Sequence, residues 1–324
     1  MPIPEFALRH PVHRFSHHEI DFRRRVLVMA VVNRTPDSFY DAGSTFALDA
    51  AVHACRNAVA AGAEWVDIGG VPFAPGAELA PNEEAERVAP VVAAVRADPG
   101  ALGRSIVSVD TFQPVVARAA LTAGADVVND TTGLFYPELA AVSAEAGAHL
   151  VITHSLAHHH GPRTVVPRPT YADVVDEVKA FLEATVDRAI EAGVAEDKIL
   201  VDPGHDLNKN TRDSLLLTRR LDEIAALGFP VLAAVSNKDF VGETLGQPKS
   251  RRLAGSLAAA TLCASLGARV LRMHQAEPAV SAARLFEAVM GWREPVSTVH
   301  NMGALNPDPD RGEIAADPEW EGQQ

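Results

Sequence analysis

Eight short apolar runs in this 324-residue chain each lead into residues able to do chemistry: Asn33, Asp67, Asp110, Asn129, His154, Asp202, Ser236 with Lys238, and Arg272 with His274. Turn and cap chemistry explains some Asp and Asn at the end of a strand, but not a polar residue after all eight. The acids and amide after the third, fourth and sixth runs, Asp110, Asn129 and Asp202, suit the donor-rich edge of a planar heterocycle, because a carboxylate accepts two N–H groups side by side. Lys238, Arg272 and His274 suit negative charge, and the amide oxygen of Asn33 suits a hard cation. The ring thus divides into a heterocycle side and an anion side.

The elements that must position this ring follow from periodicity. The apolar runs cover 26–32, 65–68, 105–109, 126–128, 149–152, 198–201, 230–235 and 269–271, and are rich in Val, Leu and Ile. Between them, 48–61, 83–96, 114–123, 171–192 and 250–266 carry helical spacing of apolar residues. Strand and helix alternating in this way call for parallel strands joined by crossover helices. Eight repeats predict a closed (β/α)8 TIM barrel, a single α/β domain, rather than an open doubly wound sheet, which usually stops near six strands. The active site of such a barrel sits at the C-terminal ends of its strands, where the polar ring lies. The barrel is expected over 25–294. Residues 1–24 form an N-terminal extension with one short strand or helix closing the floor, and 295–324 an acidic tail without periodicity, expected to be disordered.

Composition narrows the function. A net charge of −13 and a pI near 5.4 argue against nucleic acid or an anionic membrane surface as partner, since both attract a positive field. An anionic ligand must then meet locally concentrated cations. Cys55 and Cys263 offer neither a disulfide framework nor a metal knuckle. With no long apolar span and no apolar leader, a cytoplasmic location is expected.

The residues also carry a family resemblance. Asn33-Arg34-Thr35-Pro36-Asp37-Ser38-Phe39 resembles the Asn-x-Thr-Pro-Asp-Ser-Phe loop of dihydropteroate synthases. Asp67-Ile68-Gly69-Gly70, Pro75-Gly76-Ala77, Ser108-Val109-Asp110-Thr111, Asn129-Asp130, Asp202-Pro203-Gly204, Ser236-x-Lys238 and Arg272-x-His274 follow in that family's order. The likeness spans about residues 26 to 292. It implies a pterin pocket of Asp110, Asn129, Asp202 and Lys238 with Ser236, and a diphosphate near Asn33, Arg272 and His274. It also implies Mg2+ on Asn33, catalytic roles for Asn33, Asp37, Lys238, Arg272 and His274, and a homodimer paired through late helices. The reaction implied joins 6-hydroxymethyl-7,8-dihydropterin diphosphate to p-aminobenzoate, an aromatic amine, and releases diphosphate.

The departures gather on the acceptor side. Where the family reads Gly-Gly-Glu-Ser-Thr-Arg-Pro-Gly, Phe73 and Ala74 hold the Thr and Arg positions, which removes a fork of donors. The family's Asp-Pro-Gly-Ile-Gly-Phe-Gly-Lys becomes Asp202-Pro203-Gly204-His205-Asp206-Leu207-Asn208-Lys209, and Asn237 stands in place of an Arg. The alternative to a synthase is therefore a paralogue that binds the pterin diphosphate but has lost or changed the coupling to p-aminobenzoate. A methyltetrahydrofolate-dependent methyltransferase fits less well, because methyl transfer has no diphosphate for Arg272 and His274. The remaining polar clusters read as surface: His158–His160 and His13 as solvated groups, Lys209 as an anion-site or helix-start residue, and Arg251 and Arg252 as surface or subunit contacts.

Overall fold

A computed structural model describes residues 6–33, 48–71, 79–298 and 300. Asp37, Phe73, Ala74 and nearly all of the expected tail lie outside the described residues. A hairpin of β1 (Val12–Arg14) and β2 (Glu19–Asp21) precedes eight parallel strands. These are β3 (Leu27–Asn33), β4 (Trp65–Gly69), β5 (Ile106–Asp110), β6 (Val127–Asp130), β7 (His149–Thr153), β8 (Ile199–Asp202), β9 (Val231–Ala233) and β10 (Ala268–Met273). They close in the order β10-β3-β4-β5-β6-β7-β8-β9, the expected eight-stranded barrel ringed by helices. The expected strands match the observed ones within a few residues. Parallel strands buried on both faces read as continuous apolar runs, a strong signal.

The two faces of each strand do different work, because side chains alternate with period two. Val28, Ala30 and Val32 point out and pack in one large core with the helices, among them Leu48–Ala60, Pro81–Arg96 and Val174–Glu191. Leu27, Met29, Trp65, Ile106, Val127, Val151, Leu200, Leu232 and Val270 form a second core inside the barrel. Two residues on from several of these the same parity carries Asp67, Ser108, Asn129, Asp202 and Arg272. The interior therefore changes from apolar at the floor to polar at the mouth within one pleat.

The floor is closed by the hairpin. Phe15, Ile20 and Phe22 join the inner core, and Arg269 Nε donates to the Phe22 carbonyl at 2.8 Å. One short element was expected here, and two paired strands are found. His13 is also not solvated: it is buried, edge-on to Phe22 and stacked on His149 at 5.4 Å. Burial pushes its pKa down to about 4, so it is neutral.

Phe22 is fully buried, so Phe22→Ala is expected to cost roughly 3–5 kcal/mol of stability, read as a lower urea midpoint with unchanged slope. A loss below about 1 kcal/mol would mean that the hairpin does not seal the barrel.

Candidate functional site

Register brings the ring together before any side chain is considered. Asn33 pairs with Gly69, Gly69 with Asp110, and Asp110 with Asn129 across successive strands. Asp67 and Ser108 are register partners one pleat deeper. On the far side Thr153 pairs with Asp202. Arg272, paired with Met29 on β3, sends its long side chain across the barrel.

The centre of the site is a fork. Arg272 Nε donates to Asp67 Oδ2 at 2.7 Å and Nη2 donates to Asp110 Oδ2 at 2.7 Å. Asp67 Oδ2 also accepts from Asn129 Nδ2 at 3.1 Å, and its Oδ1 accepts from Ser108 Oγ, which in turn accepts from Trp65 Nε1 at 2.8 Å. Burial opposes the charge on Arg272, but Asp67 and Asp110 outweigh it and hold its pKa above the ordinary value. Burial also raises the Asp110 carboxyl, with Arg272 pulling against it. The sequence places Arg272 near a diphosphate, whereas here its donors engage the carboxylates of the heterocycle side. Asp67, noted only as a strand-end acid, proves to be the buried hub; its position inside β4 and its parity with Trp65 were the available signal.

Asp202 ends β8. Its Oδ1 receives the N–H of Gly204 at 2.7 Å, and burial pushes its carboxyl up to about 6. Gly204 has φ 71°, and a Cβ there would meet the His154 carbonyl at 2.1 Å, so only glycine fits this turn. Lys238 follows β9 and is half-buried; desolvation draws its pKa down while Asp206 and Asp202 pull it back. Ser236 Oγ accepts from the His274 N–H at 3.2 Å and bonds its Nδ1 at 3.0 Å, which joins the ends of β9 and β10.

Two cations are structural supports: Lys209, expected at an anion site or a helix start, and Arg252, expected as a surface or subunit contact. Lys209 is buried, and its ammonium donates to His154 Nδ1 at 2.8 Å and to the carbonyls of Gly204 at 2.9 Å and Leu207 at 3.0 Å. Burial pulls its pKa to about 7. When Lys209 is charged it can only donate, and the His154 proton then sits on Nε2. Arg252 is likewise buried, and its Nη1 donates to the Asn237 carbonyl at 2.9 Å, the Lys238 carbonyl at 3.2 Å and Asp239 Oδ1 at 2.8 Å, holding the Lys238 turn. His158, on a short helix, Ala157–His160, is exposed like the two histidines after it, as expected of solvated groups, and one of its ring nitrogens bonds the Gly133 carbonyl at 2.7 Å.

Among the described residues no group of three or more His, Cys, Asp or Glu is arranged to hold a metal ion. Asn33 offers one neutral oxygen at the rim, beside Gly69, where an added Cβ would lie 3.2 Å from Asn33 Oδ1. A single amide oxygen fits a Mg2+ that arrives with ligand phosphates and keeps its waters, not a resident ion in a protein cage.

Residues 29–274 match the family of pterin binding enzymes. The chain is 44% identical over 282 residues to a Mycobacterium tuberculosis protein named inactive dihydropteroate synthase 2, covering 86% of this chain and 87% of that one. It is 36% identical over 268 residues to dihydropteroate synthase of Escherichia coli, covering 82% of this chain and 93% of the other. The structure of Xanthomonas albilineans dihydropteroate synthase with 4-aminobenzoic acid is similar at a TM-score of 0.78 and 36% identity, covering 86% of this chain and 98% of that chain. With the barrel, the ordered motifs and these likenesses in agreement, the chain belongs to the dihydropteroate synthase family of pterin-binding transferases.

Proposed function

We propose that this protein binds 6-hydroxymethyl-7,8-dihydropterin diphosphate at the barrel mouth and that its coupling to p-aminobenzoate is lost or changed. One contrast carries the reading. Asp110, Asn129 and Asp202 lie at the C-terminal ends of β5, β6 and β8 and Lys238 follows β9, an arrangement that suits a pterin edge, while Leu207 and Asn237 replace the aromatic and cationic residues of the acceptor side. The similarity to proteins named inactive synthases, at 44% identity against 36% for the Escherichia coli enzyme, favours the same reading.

Each residue has a definable task. Asp202 accepts two N–H groups of the pterin as an ionised carboxylate, and Asn129 and Asp110 extend that edge. Lys238 donates to the opposite edge. Negative charge that develops on a departing diphosphate is met by His274, Asn33 and Arg272, the last by releasing part of its hold on Asp110. Mg2+ supplied with the diphosphate would rest on Asn33 and neutralise phosphate charge. Apolar Leu285 and Val289, exposed on the final helix, Ala276–Val289, support pairing of two copies.

The test is diphosphate release and dihydropteroate formation from the pterin diphosphate with Mg2+, with and without p-aminobenzoate. Binding of the pterin is expected, with dihydropteroate formed at least about a thousandfold more slowly than by the Escherichia coli enzyme, about 4 kcal/mol of missing transition-state stabilisation. Ordinary turnover would establish a working synthase and overturn the proposal.

The Asp202 carboxyl sets a pH dependence. With its pKa pushed up to about 6, the form that accepts N–H groups prevails above that pH, so pterin affinity is expected to fall about tenfold per pH unit below it. Fluorescence titration checks this. Asp202→Ala is expected to weaken binding by at least about a hundredfold and to flatten that slope. Unchanged affinity would place the pocket elsewhere.

A further inference from the structure

The loop after β8 differs from the family in a way that the backbone makes legible. Asp206 and Asn208 occupy two positions that are glycine in the family's Asp-Pro-Gly-Ile-Gly-Phe-Gly-Lys segment. Both are left-handed, with φ 63° and 53°, a conformation that glycine adopts freely and that Asp and Asn tolerate better than most other residues. The path of the loop is compatible with glycine, and two polar side chains are added to it.

Each side chain ties the loop to a different neighbour. Asn208 Oδ1 accepts the N–H of Leu156 at 3.2 Å and its Nδ2 donates to the Thr164 carbonyl at 2.8 Å, which binds the loop after β7. Asp206 points toward the start of the helix after β9, Asp239–Leu245. Its Oδ2 accepts the N–H of Asp239 at 2.5 Å and of Phe240 at 3.3 Å, and its Oδ1 accepts Ser214 Oγ at 3.1 Å. Asp239 directly follows Lys238, and Leu207 directly follows Asp206. A fixed carboxylate therefore stands where the family has a hydrogen atom, next in the chain to Leu207 and against the backbone that directly follows Lys238. Asp206 is also the foremost carboxylate acting on Lys238.

We infer that Asp206 is a specificity-determining residue: its carboxylate, fixed on the N–H groups of Asp239 and Phe240 beside Lys238, turns away a carboxylate-bearing acceptor and leaves the acceptor side to a neutral aromatic amine. Like charges facing each other across a binding surface are a strong means of rejection. The inference rests on the pterin reading of the same site.

The experiment compares p-aminobenzoate with its neutral isostere p-aminobenzamide. Calorimetric titrations use the whole chain with the pterin diphosphate present, for the native protein, Asp206→Asn, Asp206→Gly and Asn208→Gly. The native chain is expected to prefer the amide, and both Asp206 variants to shift the ratio toward the acid by at least about tenfold. Asn208→Gly frees the same loop without removing charge and is expected to leave the ratio in place. An unmoved ratio in the Asp206 variants overturns the inference, as does equal gain or loss of both compounds or no binding of the acid to either variant. Pterin diphosphate binding is measured separately on the native chain. Its failure removes the pterin reading and this inference together, whereas normal pterin binding with an unmoved ratio removes only the role of Asp206.

Discussion

The fork of Arg272 between Asp67 and Asp110 is the interaction on which the site depends. Two carboxylates on adjacent strands, inside a barrel with an apolar floor, would each carry a large desolvation cost and repel one another. Arg272 reaches them from β10, on the other side of β3, so its two 2.7 Å bonds also cross-link three strands of the closed barrel. Ser108, itself held by Trp65, and Asn129 donate to the remaining lone pairs of Asp67, which helps a buried charge network to be tolerated. Breaking such a network by removing one partner typically costs about 3–5 kcal/mol. The same network holds Asp110 at the end of β5, so in the proposed function pterin recognition would be built on a structural ion pair.

Much of this was legible because a parallel barrel writes its geometry into short apolar runs. Inward positions alternate with outward ones, and a polar residue after such a run has a known place at the mouth. Asp110, Asn129, Asp202, Ser236, Lys238, Arg272 and His274 could be located on that basis alone. The partner of Arg272 could not, since Asp67 lies 205 positions away and local sequence does not reveal which cation meets which carboxylate. The hairpin at the floor was underestimated for a related reason. Its His13 and Phe22 look like ordinary polar-rich leader sequence until the inner core they complete is known.

Lys209 and Arg252 show a second limit. Each sits at a helix start or loop with charged neighbours, where exposure is the usual outcome. Both are buried because main-chain carbonyls surround them: Gly204 and Leu207 for Lys209, Asn237 and Lys238 for Arg252. A tight loop turns its carbonyls inward, and a long cation is the side chain able to satisfy several at once. That need arises only from the folded path of the loop, so the residue type alone carries no sign of it.

The division between the kept and altered parts of the pocket then has a physical cause. Asp110, Asn129 and Arg272 belong to strands whose opposite faces pack the main core, and Asp202 sits on a strand end where Gly204 allows no side chain. Changing any of them disturbs packing or the central ion network as well as the ligand. Leu207, Asn237 and Asp206 lie on loops, where a new side chain costs little if the path is preserved. That path is held by the carbonyl cages of Lys209 and Arg252 and by left-handed turns that admit few residue types. Asp206, Asn208 and Asn237, with φ between 53° and 63°, are substitutions of the kind such turns permit. The chemistry of the acceptor side could therefore change while the scaffold beneath it stayed fixed.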